Sequence, residues 1–157
     1  MADKWYVLAC TPRKERVMYH QLSDRGFEVF YAYLIVRTTN PNTLKIEPYF
    51  PGYLFIKVDL TKVALSTFQW MPMTSGLVCV AGNPAYVPDV IIKAIHRSVR
   101  KINSMVLGMM DDLDQTEVVE GDESAVAADR VLLDEKLSGP DRAQALLQLL
   151  QEVSLAP

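Results

Sequence analysis

Cysteine is nearly absent: among 157 residues there are only Cys10 and Cys79. They stand far apart, with no histidine or further cysteine at metal-ligand spacing, so no disulfide framework and no metal site is readable. Both lie in apolar runs, where free thiols are commonly buried. Histidine is equally scarce, and His20 and His96 have no Ser, Cys or carboxylate pattern around them that would make a catalytic triad. No glycine-rich loop of the phosphate-cradling kind occurs. Together these absences argue against an enzyme, and no cofactor is implied. No apolar run approaches the roughly 18 residues of a membrane span. Met1-Ala2-Asp3-Lys4 leads into a strand-like segment without the apolar stretch of a signal peptide, which places the protein in the cytoplasm.

What is present is an ordinary globular composition, 50% hydrophobic and 22% charged, at a length suited to one domain with a short appendage. The net charge of -3 hides a division. Residues 1–105 carry 13 Lys/Arg and 7 Asp/Glu, a balance of +6, whereas residues 106–157 carry 3 and 12, a balance of -9. A basic body suits a polyanion, and an acidic tail is either a solvated extension or an internal competitor for the same surface. Two ordinary solvated faces explain the charges equally well.

Lys4 to Cys10 is rich in β-formers and reads as a central strand. Thr11-Pro12 offers a cap and a first helical position, and Gly26 ends the helix, whose core side is Val17, Met18 and Leu22. Phe27 to Thr39 and Thr43 to Glu47 form a hairpin around Asn40-Pro41-Asn42. The prolines of Pro48-Tyr49-Phe50-Pro51-Gly52 bend the chain before a strand from Tyr53 to Val58. A short helix within Thr61 to Trp70, a strand from Gly76 to Val80 and a helix from Asp89 to about Asn103 complete the body. This order is a split βαβ, an α+β ferredoxin-like antiparallel sheet with helices mainly on one face. Alternation sends Leu54, Ile56 and Val58 to that face and Tyr53, Phe55 and Lys57 to the other. Two large rings left on an uncovered face mark a binding surface, unless the third helix or the tail covers them. An acylphosphatase-like enzyme shares the element order but needs the phosphate loop that is missing.

With these residues in view, the chain resembles the N-terminal (NGN) domain of NusG-type transcription elongation and antitermination factors, with their RfaH-like specialised paralogues. Lys4-Trp5-Tyr6-Val7-Leu8, Tyr49 to Asp59, Thr74-Ser75-Gly76-Leu77-Val78 and Pro84 to Asp89 carry the likeness in order, and the aromatic-Pro-Gly-Tyr-Leu-Phe segment is its most specific part. The resemblance implies a module that binds the clamp helices of RNA polymerase and the non-template DNA strand, modulating pausing or termination. By position it implies polymerase contacts at Ala9, Phe50, Pro51, Tyr53, Phe55 and Ile92. Arg13, Lys14, Arg16, Arg37 and Lys45 are the candidate phosphate contacts. Two departures stand out: Ala9 replaces a Tyr of the RfaH-like paralogues, and Leu65-Ser66-Thr67-Phe68 replaces their Thr-rich stretch. A stand-alone RNA-binding or ribosome-associated regulator is the alternative.

Members of that family continue into a small KOW barrel, and Val118-Val119-Glu120-Gly121-Asp122 resembles the beginning of one. The sequence thus divides into an NGN-like domain at 1–105, an acidic linker at 106–121 and a truncated or diverged KOW segment at 122–157. Within the last, Ser138 can cap and Ala143, Leu146, Leu147, Leu150 and Val153 recur at helical spacing. Residues 122–137 read equally as helix or strand. The amphipathic helix from about Pro140 to Val153 needs a partner surface, and an intramolecular contact over Tyr53 and Phe55 would supply one.

Overall fold

The computed structural model describes residues 3–39, 43–108 and 138–155. The turn at Asn40-Pro41-Asn42, the KOW-like start at Val118 to Asp122 and the ambiguous stretch 122–137 lie outside the described residues.

The central strand β1 (Lys4–Cys10) pairs antiparallel along its length with β5 (Tyr53–Val58), from Lys4 opposite Val58 to Ala9 opposite Tyr53. The edge strand β2 (Glu28–Phe30) flanks β5. The other side of β1 is shared by β6 (Thr74–Leu77) and β9 (Tyr86–Val87). Between β2 and β5 the chain makes a separate ribbon of β3 (Tyr33–Arg37) and β4 (Leu44–Pro48). The strand expected over Gly76 to Val80 divides at Val78, so that β7 (Cys79–Val80) pairs with β8 (Asn83–Pro84).

Period-2 alternation builds two cores. Tyr6, Leu8 and Cys10 of β1 and Leu54, Ile56 and Val58 of β5 meet Met18 and Leu22 of α1 (Glu15–Asp24) and Phe68 of α2 (Ser66–Gln69). Trp5, Val7 and Phe55 face the opposite way, toward α3 (Asp89–Val106) and α4 (Gly139–Leu155). Among the described residues each face of the sheet therefore carries two helices, where the sequence suggested helices mainly on one. The cause is the route of the chain after β9, which enters α3 on the second face with Ile91, Ile92, Ile95 and Val99 inward. Met18 and Leu22 are fully buried, but Val17, expected on the core side, is 41% exposed.

The first helix starts three residues later than its proline suggests. Arg13 adopts a left-handed φ of 72°, and its N–H donates to Oε1 of Glu15 at 3.0 Å. The same oxygen accepts from the N–H of Gly52, also at 3.0 Å, in the bend before β5. Glu15 is only 2% exposed, and it ties the start of α1 to the aromatic-Pro-Gly segment. At the other end Gly26, with φ 91°, turns the chain out of α1 as expected. Asn103, near the end of α3, bonds the ribbon through both arms of its amide: Oδ1 accepts from Ile35 N–H at 2.8 Å and Nδ2 donates to the Tyr33 carbonyl at 3.1 Å.

The expectation of two buried thiols holds for Cys10 and fails for Cys79, which is exposed because its strand lies outside the main sheet. Burial, with a smaller push from Glu15, raises the Cys10 thiol to about 12.

Candidate functional site

The segment from Tyr49 to Tyr53 is held rigidly before β5 begins. Tyr49 N–H donates to the Ala32 carbonyl at 2.8 Å, and Gly52, with φ 86°, returns its carbonyl to Cys10 N–H at 2.8 Å. An L residue at Gly52 would be strained in that conformation. The rings then pack edge to face or stacked, Tyr49 on Phe50 at 4.9 Å, Phe50 on Phe55 at 5.8 Å, and Phe55 on Phe30 at 5.6 Å between centroids.

Of the six positions implied as polymerase contacts, Phe50, Phe55 and Ile92 fall in one buried cluster, with Tyr53 packed against it half-buried. Ala9 stands opposite Tyr53 in the β1–β5 ladder, and Pro51 touches the start of α4. The idea of an uncovered aromatic pair requires correction: Phe55 is 0% and Phe50 1% exposed. Their cover is Ile91, Ile92 and Ile95 of α3 together with Ala143, Leu146, Leu149 and Leu150 of α4.

The C-terminal helix is fastened at its first turn. Ser138 Oγ accepts from Asp141 N–H at 3.3 Å and donates to the Asp141 carboxylate at 2.8 Å, a local N-terminal cap. Arg142 donates through Nε to the Tyr49 carbonyl at 2.9 Å and lays its guanidinium 4.4 Å over the Tyr49 ring. Gly139 lets the helix approach closely, since a Cβ there would come within 2.9 Å of Pro51 Cγ. The inward residues Ala143, Leu146 and Leu150 follow the expected spacing, and Leu149 joins them.

The candidate phosphate contacts are dispersed. Arg13 and Lys14 are exposed but precede α1 instead of belonging to it, and Arg16 is the one on the helix. On the ribbon, Arg37 donates to the Val106 carbonyl at 3.0 Å and Lys45 pairs with Glu47 at 2.9 Å. Sequence patterns gave no prominence to Trp70, 80% exposed directly after α2, because a single ring at a helix end has no periodicity to betray it. They also missed the grouping of Tyr31, Tyr33, His96 and Arg100, which belong to two elements far apart in the chain.

Among the described residues no helix is long and apolar enough to cross a membrane, and no group of three or more His, Cys, Asp or Glu is placed to hold a metal ion.

Among curated proteins none matches this sequence. A solved structure described as "Domain interaction in Thermotoga maritima NusG" is similar at 22% identity with a TM-score of 0.41. The alignment covers 60% of this chain and 56% of that one, so the chain spans little more than half of that protein's length. The family model described as "Transcription termination factor nusG" matches residues 3–96, from the start of β1 into α3. That match takes in every strand of the sheet and the whole aromatic-Pro-Gly segment, and the chain belongs to the NusG family of transcription factors.

Proposed function

We propose that the protein is an elongation or antitermination factor that docks on the clamp helices of RNA polymerase and lies along the non-template DNA strand, acting in the cytoplasm and without catalysis of its own. The observation that carries this reading is the gathering of Phe50, Tyr53, Phe55 and Ile92 on one face, inside the span matched by the family. In this reading residues 1–105 are the binding body, although that boundary falls in the last turn of α3; 106–121 connect, and 122–157 regulate. The helix α4 occupies the docking face, so polymerase binding requires its displacement. Apparent affinity is then reduced to the fraction of molecules in which α4 has left. Exposed Arg13, Lys14 and Arg16 supply contacts to the DNA backbone without reading bases.

The test is retention on core RNA polymerase with and without residues 138–157. Removal of α4 is expected to tighten binding at least about tenfold, equivalent to ~1.4 kcal/mol of masking. Tyr53→Ala in the shortened chain should reverse that gain, since truncating a central interface aromatic typically costs about 2 kcal/mol. Phe55→Ala is unsuitable here because its ring belongs to the core. Equal or weaker binding by a folded truncation would overturn the masking, and retention on ribosomes with none on polymerase would overturn the docking. For the DNA contact, Gln at positions 13, 14 and 16 should flatten the salt dependence by roughly 0.7 in log–log slope per phosphate lost.

A further inference from the structure

The ribbon of β3 and β4 has two long edges, and its hydrogen bonds fix which backbone groups each edge presents. Thr38 N–H donates to the Thr43 carbonyl at 3.1 Å, and Tyr49 N–H to the Ala32 carbonyl at 2.8 Å. Even-numbered residues on the β3 side and odd-numbered residues on the β4 side therefore bond across the ribbon. Successive residues of a strand turn their backbone groups to opposite sides, so the remaining residues point outward. On β3 these include Tyr33 and Ile35, which the Asn103 amide bonds. On β4 they are Leu44, Ile46 and Pro48.

Among the described residues the outward N–H groups of Leu44 and Ile46 make no hydrogen bond. Leu44, Lys45, Ile46 and Glu47 are all exposed. The ribbon itself is held in place from behind. Arg37, opposite Leu44, donates to the Val106 carbonyl at 3.0 Å, and Asn103 holds the other end of β3. Ile46, with Tyr33 and Ile35, lines a cleft whose other walls are β2, α1 with His20, and α3 with His96. A fixed and open strand edge is a template for one more strand.

The charges of β4 select the strand that fits. Lys45 and Glu47 stand symmetrically about Ile46 and share an ion pair of 2.9 Å along one face. When two copies of β4 meet antiparallel with Ile46 opposite Ile46, Lys45 of each copy stands opposite Glu47 of the other, and the four charges alternate. Opposite charges directly across a ladder are favourable and like charges are not. Lysine alone, a common guard of open edges, would repel its own copy in this register. The two Ile46 residues exchange both of their backbone bonds, and Leu44 N–H meets the Pro48 carbonyl of the other copy. Pro48 has no N–H to give, and the ladder ends there. We propose that β4 is a self-complementary edge through which two copies of this chain join their ribbons into one four-stranded sheet. The contact is isologous, and Asn103 occupies the remaining edge of each ribbon, so the assembly closes at two copies. A ladder of five residues a side is small against a standard interface, which makes the pair a weak one. This pairing is independent of the docking reading above.

The full chain is followed by sedimentation equilibrium, with backbone amide exchange read by NMR at the lowest and highest concentrations. A monomer–dimer equilibrium with Kd between about 10 µM and 1 mM is expected. The amides of Leu44 and Ile46 should exchange at least about fivefold more slowly at high concentration, with those of Lys45 and Glu47, bonded to β3 in either state, unchanged. Lys45→Glu and Glu47→Lys each set like charges opposite one another in the self-paired ladder. Each should weaken the dimer at least about tenfold, at a melting temperature unchanged in dilute solution. An equimolar mixture of the two variants should associate as tightly as the native chain, since each then meets its complement. A chain monomeric throughout, association that leaves Leu44 and Ile46 unprotected, or a mixture no tighter than its components overturns the proposal. Slowing at Leu44 and Ile46 that requires added core RNA polymerase would assign the edge to that partner and equally overturn self-pairing. The other measurements contain no polymerase, so failure here and failure of the docking reading are separately visible.

Discussion

Glu15 and Asp59 are the buried charged side chains among the described residues, and Glu15 is the more deeply buried of the two. One carboxylate oxygen accepts from two backbone N–H groups, those of Arg13 and Gly52, in a place that leaves the residue 2% exposed. Leaving a buried donor unpaired costs about 1–3 kcal/mol, so Glu15→Ala is expected to lower stability by roughly 3 kcal/mol, read from the urea midpoint. A loss below about 1 kcal/mol would show that water replaces the carboxylate. A second residue-scale effect appears at high pH. Cys10 and Tyr31 are both raised to about 12 in the folded chain, from ordinary values of 9.0 and 10.0. Unfolding exposes groups that ionise more readily, so the unfolded chain holds fewer protons between about pH 9 and 12. Stability should be unaffected by these groups below pH 9 and fall as pH rises through that window. Cys10→Ala should remove the earlier part of the fall in equilibrium denaturation.

At the level of elements, alternation along β1 and β5 was open to reading, because a strand has only two faces and each was given a consistent set of side chains. Helix spacing in the tail was equally open, down to Ser138 as its cap. Periodicity alone gives that helix no destination, because it says that a face must be covered and not by what; the rings at Tyr53 and Phe55, with no cover of their own in the strand pattern, are what pointed to it. The start of α1 was hidden for another reason, since Thr11-Pro12 carries a good local signal that the distant Gly52 overrides through Glu15. As Ser138 caps the first turn of α4, its loss should matter measurably. Ser138→Ala is expected to weaken the helix by ~1 kcal/mol. Amide exchange in 142–150 should then accelerate about fivefold, with exchange in β1 and β5 unchanged. Equal acceleration in the sheet would mean that α4 does not open as a separate unit.

Across the whole molecule, the candidate docking face is assembled from β1, β5, α3 and the far end of the chain, and the cleft from α1, β2, β3 and α3. The segment from Tyr49 to Asp59 announces the first, because one stretch supplies most of its rings. The cleft had no such segment: His20 and His96 looked like isolated helix residues until the fold brought them to opposite walls. The amide of Asn103 also has a consequence for how copies of the protein meet. A two-stranded ribbon lying apart from the main sheet has an outer row of backbone donors and acceptors, an open template for another chain's strand. By bonding Tyr33 and Ile35 on that row, the Asn103 side chain imitates the peptide of a neighbouring strand that never arrives. Asn103→Ala should therefore leave the chain folded while making it associate beyond two copies with rising concentration in sedimentation velocity. A variant that stops at two copies would locate the protection elsewhere on the ribbon. On this account a single amide acts as a stopper, closing that edge of the ribbon to strand exchange between copies.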